Sequence, residues 1–129
     1  VRGVNNRDNT IASSAARMLR IMKTTDVHNY HALVVAGDEH LLIDVREPAE
    51  WDTCHLDHAR HVPLRSLPNA VADLEDWRDK PVYCLCHHGM RSQQAAQFLE
   101  QQGFSDVTNV AGGIHAWATE IDPAMPTYR

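Results

Sequence analysis

The sequence predicts an α/β fold in which a central, mostly parallel sheet of about five strands carries helices on both faces. Short apolar runs alternate along the chain with segments whose apolar residues have helical spacing. The runs are apolar at nearly every position, as strands are when helices cover both faces of a parallel sheet. With 129 residues, the chain has room for one domain around one core.

The helices are predicted from capping residues, prolines and glycines. Thr25 or Asp26 can cap a first helix, which Gly37 would end. Pro48 and Pro68 suit the first turns of the second and third predicted helices. Gly103 lies just beyond the end of the fourth. The predicted helices are 26–35, 47–52, 66–78, 92–102 and 114–120.

Four short runs are predicted as strands, namely 41–45, 60–63, 81–85 and 107–110. In open α/β sheets, ligands bind beyond the carboxyl ends of the strands. Cys86 follows one predicted strand, while Asp44 and Arg46 stand at the end of another. The sequence therefore places a candidate site at this edge of the sheet.

Residues 1–20 are predicted to form an N-terminal extension, and residues 21–129 the folded domain. The extension contains four arginines and one aspartate, a composition that loosely matches an organelle transit peptide. A tail running into a short helix from Thr10 to about Ile21 is the simpler interpretation.

Composition excludes several classes of partner. The formal net charge is −5, so no basic footprint indicates nucleic acid. No apolar stretch approaches the roughly 20 residues that span a bilayer, so no membrane is expected. Three cysteines are an odd number, which favours free thiols in a reducing compartment and a cytoplasmic location.

A polar heptapeptide joins the strand at 81–85 to the helix at 92–102. Its sequence is Cys86-His87-His88-Gly89-Met90-Arg91-Ser92. Backbone N–H groups of such a loop can converge on one point, and the dipole of the following helix adds partial positive charge there. Because this favours a thiolate, the nucleophilic form of cysteine, Cys86 is the predicted nucleophile. Gly89 allows backbone conformations that other residues avoid.

Three motifs follow one another along the chain. They are Leu42-Ile-Asp-Val-Arg-Glu-Pro48 with Glu50-Trp51 behind it, the loop from Cys86 to Ser92, and the ending Gly112-Gly-Ile-His-Ala-Trp117. In order and spacing, from about Thr24 to the C-terminus, the chain resembles a single-domain rhodanese (thiosulfate sulfurtransferase). Family members often carry Gly-His-Ile-Pro-Gly-Ala after the acidic–aromatic pair, where this chain has Cys54-His55-Leu56-Asp57-His58-Ala59. The absence of both glycines predicts a different backbone at the rim of the pocket.

The resemblance implies a rhodanese-like fold and a sulfurtransferase activity. Cys86 would take the outer sulfur of thiosulfate or a similar donor as a persulfide and pass it to cyanide, a thiol or a protein thiol. The expected substrate-binding residues are His87, His88, Gly89, Met90, Arg91 and Ser92. Arg91 would attract an anionic donor, while Asp44 and Arg46 would pair with each other, brace the loop or meet substrate. No organic cofactor or metal is expected.

Alternative functions remain open. Cysteine phosphatases and arsenate reductases use Cys-x5-Arg, whereas four residues separate Cys86 from Arg91 here, so the loop favours a sulfur atom over a tetrahedral oxyanion. A non-catalytic, rhodanese-like interaction module is a second alternative, but such modules commonly lose the cysteine or the loop glycine. A sulfur relay to a specific protein partner would share the first half-reaction.

The remaining cysteines and a cluster of histidines have structural interpretations. Cys84, one strand step behind the nucleophile, is predicted to lie in the core. Cys54 could be a resolving thiol for Cys86 or a partly buried free thiol. Cys54, His55, His58 and His61 could hold zinc only on a helix. Pro63 favours a loop entering a strand instead, so no metal is predicted.

Overall fold

The structure is a computed structural model that describes residues 23–129. Within these residues, five strands form one sheet, and all neighbouring strands are parallel. The strands are β1 (Thr24–Thr25), β2 (Leu41–Asp44), β3 (Arg60–His61), β4 (Val82–Leu85) and β5 (Val107–Val110). Their order across the sheet is β1-β5-β4-β2-β3, which confirms the predicted α/β class.

Helices connect the strands, as the alternating sequence pattern predicted. They are α1 (Val27–Ala36), α2 (Pro48–Thr53), α3 (Leu67–Ala70), α4 (Met90–Gln101) and α5 (Gly113–Ala116). Short 3₁₀ segments at Leu64–Ser66 and Val71–Trp77 flank α3, and α5 continues as a π-helical turn over Trp117–Ile121. None of the helices described has the length and apolar character needed to cross a membrane.

The ends of α1 follow the capping signals. The Asp26 carboxylate accepts a hydrogen bond of 2.8 Å from the backbone N–H of Asn29. Gly37 adopts the left-handed conformation, with φ of 75°, and its N–H returns to the carbonyls of Leu33 and Val34. Local chemistry alone therefore fixes where this helix begins and ends.

Two apolar clusters lie on the two faces of the sheet. Leu41 and Ile43 of β2 join the cluster that contains Ala95 and Leu99 of α4. Leu42, between them in the sequence, belongs to the other cluster, which contains buried residues of α1 and α5. Because successive side chains of a strand point to opposite faces, this alternation confirms that helices cover both faces.

Three local predictions need correction. The strand β1 was not predicted, since two residues show no periodicity; it is defined by its pairing with β5. The single helix predicted at 66–78 is a 3₁₀–α–3₁₀ segment, and the predicted helix at 114–120 ends as a π-helix. A 3₁₀ helix has about 3.0 residues per turn against 3.6 in an α-helix, and both place residues i and i+3 on one face, so hydrophobic spacing in a short segment does not distinguish the two. The predicted helix from Thr10 to Ile21 lies outside the described residues.

The strand order places the candidate site. β3 lies next to β2 on one side, whereas β4 lies next to β2 on the other side and β5 lies beyond β4. The order of the strands therefore reverses between β2 and β4, the position at which open α/β sheets form a crevice. Cys86 follows β4 and Asp44 ends β2, so both lie at the carboxyl edge of these central strands.

Candidate active site

Cys86 immediately follows β4, and only 1% of its surface is exposed. Its Sγ accepts a hydrogen bond from the backbone N–H of Gly89 at 3.0 Å and lies 3.3 Å from the Oγ of Ser92. Gly89 has a φ of 115°, which a residue with a side chain rarely adopts. The loop therefore turns back on the sulfur, and α4 begins at the next residue, Met90.

Asn109 of β5 holds this loop in place. Its Nδ2 donates to the carbonyl of Gly89 at 3.1 Å, and its Oδ1 accepts from the Oγ of Ser92 at 2.6 Å. Both the Asn109 and the Ser92 side chains are buried, so the hydrogen bonds are shielded from water. Sequence analysis missed Asn109, although a polar residue within a buried strand demands partners and could have indicated this role.

The start of α5 approaches the same loop from the other side. The backbone N–H groups of Ile114 and His115 donate to the carbonyls of Cys86 and His87 at 2.9 and 3.1 Å. Gly113 permits this contact, because a Cβ atom there would lie 2.3 Å from the carbonyl oxygen of His87. The second glycine of the Gly-Gly pair is thus required for close approach of two backbones.

Arg91 forms a two-point ion pair with Glu50 of α2. The Nη1–Oε1 and Nη2–Oε2 distances are 2.6 and 2.8 Å, and the hydroxyl of Tyr128 donates to the same carboxylate at 2.9 Å. The hydrogen bonds from Arg91 are the main cause that lowers the pKa of Glu50 to about 2. The sequence indicated neither Glu50 as the partner of Arg91 nor Tyr128 as a second donor to Glu50.

Asp44 and Arg46 form a fully buried ion pair, with 2.7 Å between Nη2 and Oδ2. The guanidinium also donates to the backbone carbonyls of Glu50 and Cys54 and to the hydroxyl of Tyr128. Because both charged side chains are 0% exposed, they brace the site from beneath. This arrangement matches the predicted pairing and leaves neither group on the surface.

The histidines of the loop differ in their surroundings. His87 is buried, and its ring stacks on Tyr128 with 3.9 Å between centroids. Burial, together with the neighbouring His88, lowers the pKa of His87. His88 is exposed, as is Met90, which has 74% of its surface accessible.

A groove of about 300 Å³ lies on the β5 side of the loop. It is lined by Thr24, His88, Gly89, Met90, Gln93, Asn109 and Ala111. Two of the predicted substrate-binding residues that do not contact Sγ, His88 and Met90, thus face a shared space. The groove reaches the loop at these residues and at Gly89, whereas Cys86 and Arg91 are not among the residues that line it.

The residues weighed for zinc are dispersed. His55 and His61 each stack on Trp51, and the Nε2 of His58 lies 2.8 Å from the hydroxyl of Tyr30. Cys54 is a free thiol in this structure.

Cys84 and Cys86 are free thiols as well, so the structure contains no bond from Cys86 to Cys54. Cys84 lies in the core as predicted, and its burial raises the pKa of its thiol to about 12.

Gly113→Ala should destabilise the protein more than Gly37→Ala. Both glycines have positive φ, but a Cβ atom at Gly37 meets nothing within 4 Å, whereas at Gly113 it collides with the active-site loop. We expect a loss of about 1 kcal/mol at Gly37 and about 3 kcal/mol at Gly113, measured by urea unfolding. Equal losses would show that backbone strain alone, and not close approach, explains the glycine.

Glu50→Gln should remove part of the acid sensitivity of the fold. The pKa of Glu50 falls from 4.5 to about 2 in the folded state, so its stabilising contribution is complete above pH 4.5 and is lost as the pH falls towards 2. Free energies of unfolding measured across this range should therefore fall less steeply in the variant. The control is Glu39→Gln, which removes an exposed carboxylate that pairs with Lys80 on the surface. Identical slopes for Glu50→Gln and the wild type would contradict the expectation.

Comparison with known proteins identifies the family. The Rhodanese-like domain matches residues 26–120. The Arabidopsis thaliana Rhodanese-like/PpiC domain-containing protein 12, chloroplastic, is 37% identical over 109 residues, which cover 83% of this chain and 36% of that protein. The Bos taurus Adenylyltransferase and sulfurtransferase MOCS3 is 32% identical over 138 residues, covering 91% of this chain and 30% of that protein.

A solved structure gives the same result for the fold. Thiosulfate sulfurtransferase from Pseudomonas aeruginosa superposes with a TM-score of 0.68 at 28% identity, over 76% of this chain and 19% of that chain. The chain spans about a third of the length of the two curated relatives. The sheet, the cysteine loop and these similarities agree that the chain belongs to the rhodanese-like family, within the sulfurtransferase superfamily.

Proposed function

We propose that this chain transfers a sulfane sulfur from thiosulfate or a similar donor to a thiophilic acceptor through a persulfide on Cys86. The observation that carries the proposal is the hydrogen bond of 3.0 Å from the Gly89 N–H to Sγ at the end of β4. A backbone donor aimed at sulfur stabilises the thiolate before the reaction, and donors of the same loop can stabilise the terminal sulfur of the persulfide after it.

The reaction balances without an external oxidant or reductant. The Cys86 thiolate attacks the outer sulfur of thiosulfate, and a new S–S bond forms. The bond between the two sulfurs of the donor breaks, and its electron pair leaves with sulfite. A nucleophilic acceptor, such as cyanide or a thiol, then attacks the terminal sulfur of the persulfide, and Cys86 returns as a thiolate.

The surroundings of the sulfur support this chemistry. Helix α4 begins four residues after Cys86 and contains 12 residues, so its positive N-terminal end lies beside the sulfur. Buried Ser92 and Asn109 fix the loop, which limits the reorganisation needed when charge develops. The spacing of four residues between Cys86 and Arg91 argues against a cradle for phosphate.

We extend the proposal to Arg91, the predicted ligand of an anionic donor. Its side chain is 34% exposed, so one edge of the guanidinium can meet an anion while Glu50 keeps hold of it. His88 and Met90, beside the groove of about 300 Å³, would contact the remainder of the donor. His87, which is buried against Tyr128, would position the loop.

A protein thiol is the acceptor we favour for the second half-reaction. The bovine relative is named an adenylyltransferase and sulfurtransferase, and this chain covers only 30% of it, so the matched region there is one part of a larger sulfur-handling protein. A relay of sulfur to a protein partner shares the persulfide with the small-molecule reaction and differs only in the acceptor. The expected division into residues 1–20 and 21–129, and the cytoplasmic location, stay predictions.

Incubation with thiosulfate should add the mass of one sulfur atom to the wild-type protein but not to Cys86→Ser. Intact-mass spectrometry measures the gain, and cyanide or dithiothreitol should reverse it. Cys54→Ser is the matched control, because it removes a partly buried thiol and should still gain the sulfur. A gain on Cys86→Ser, or no gain on the wild type with thiosulfate and other sulfane donors, would refute the persulfide.

Arg91→Gln should raise the thiosulfate concentration for half-maximal sulfite release by about tenfold, since it removes a charged hydrogen-bond donor. Glu50→Gln distinguishes a donor-binding role of Arg91 from a structural role, because it breaks the same ion pair but keeps the guanidinium. If Arg91 binds the donor, Glu50→Gln should not weaken the binding of thiosulfate. Equal weakening in both variants would instead assign to Arg91 only the positioning of α2.

A further inference from the structure

Three histidines come together beside the active-site loop. His87 and His88 belong to the loop, and His115 lies in α5. One ring nitrogen of each lies within 4.8 Å of those of the other two. Over residues 23–129, no other group of three or more His, Cys, Asp or Glu side chains is arranged to hold a metal ion. The mechanism proposed above uses none of these imidazoles as a base.

Two of these rings contain nitrogens without partners. The Nε2 of His87 and the Nδ1 of His115 are buried, and neither atom forms a hydrogen bond. A buried polar atom without a partner costs about 1–3 kcal/mol, and most proteins avoid it. In the neutral tautomer that leaves these nitrogens unprotonated, each presents a lone pair. Such orphaned nitrogens in one cluster point to a ligand that accepts lone pairs.

The structure already couples the backbones of His87 and His115 and fixes one of the rings. The N–H of His115 donates to the carbonyl of His87 at 3.1 Å, and stacking on Tyr128 fixes the His87 ring. His88 is exposed, so its ring can rotate without disturbing the core. A tetrahedral site with metal–nitrogen bonds of about 2.0–2.1 Å needs nitrogens about 3.4 Å apart, so the His88 and His115 rings have to rotate to shorten separations that now lie within 4.8 Å.

We propose that His87, His88 and His115 bind one divalent transition-metal ion of the class of Zn²⁺ or Cu²⁺. Three neutral imidazoles suit these ions, whereas Mg²⁺ and Ca²⁺ require oxygen ligands. A three-histidine set leaves one tetrahedral position for water or an anion. Because two ligands directly follow Cys86, a bound ion ties the nucleophile's loop to α5 by side chains as well as by the backbone.

Zinc binding to the full chain tests the site, with Cys86→Ser as the parent protein so that the thiolate cannot act as a ligand. Isothermal titration should show one Zn²⁺ per chain. Adding His88→Ala or His115→Ala should weaken binding by more than about tenfold, the lower limit for losing even a second-shell partner. His28→Ala, which removes an exposed histidine paired with Glu120, should leave the affinity unchanged.

Cobalt provides a second readout on the same proteins. Co²⁺ should give the visible absorption of a four-coordinate site without a thiolate charge-transfer band, and His88→Ala should abolish it. His88 is exposed, so this variant is expected to fold, and circular dichroism checks it. Absence of binding, or equal affinity in the parent and both histidine variants, would overturn the site. Persulfide formation is measured separately on the wild type, so either proposal can fail alone.

Discussion

The buried guanidinium of Arg46 is the interaction on which the carboxyl edge of the sheet depends. Burial of a charge costs several kcal/mol unless every donor is satisfied. Here all of its N–H groups are used, on Asp44, on the carbonyls of Glu50 and Cys54, and on the hydroxyl of Tyr128. One side chain thereby joins the end of β2, the middle and the C-terminal end of α2, and the C-terminal segment.

This network extends to the loop from Cys86 to Ser92 through Glu50. The Tyr128 hydroxyl that accepts from Arg46 donates to Glu50, whose carboxylate holds Arg91 at the start of α4. The positive charge proposed to meet the donor is therefore positioned by Glu50 of α2 as well as by its own helix. A network of charge-assisted hydrogen bonds in a partly buried place keeps its geometry better than an exposed pair would.

The sulfur itself depends on a different support. Asn109 holds the Gly89 end of the loop from β5, and the backbone of α5 holds its Cys86 end. The loop is thus held between β5 and α5, which both follow it in the chain. These contacts keep the Gly89 N–H directed at the Sγ of Cys86. The three histidines lie at the α5 side of this loop, so an ion bound there would act on a loop that is already constrained.

Local sequence was enough to predict the α/β class, the position of Cys86 at a strand end, and the capped ends of α1. These features depend on local periodicity and on hydrogen bonds between residues only a few positions apart. The family also followed from the sequence, because its motifs are contiguous. The 3₁₀ and π segments were not predicted, since their hydrophobic spacing is close to that of an α-helix.

The partners of the site residues depend on contacts between distant parts of the chain. Glu50 is 41 residues from Arg91, Tyr128 is 82 residues from Arg46, and Asn109 is 17 residues from Ser92. Their contacts arise because the strand order places β4 between β5 and β2. No local pattern encodes that order, which is set by how the apolar faces of strands and helices pack together.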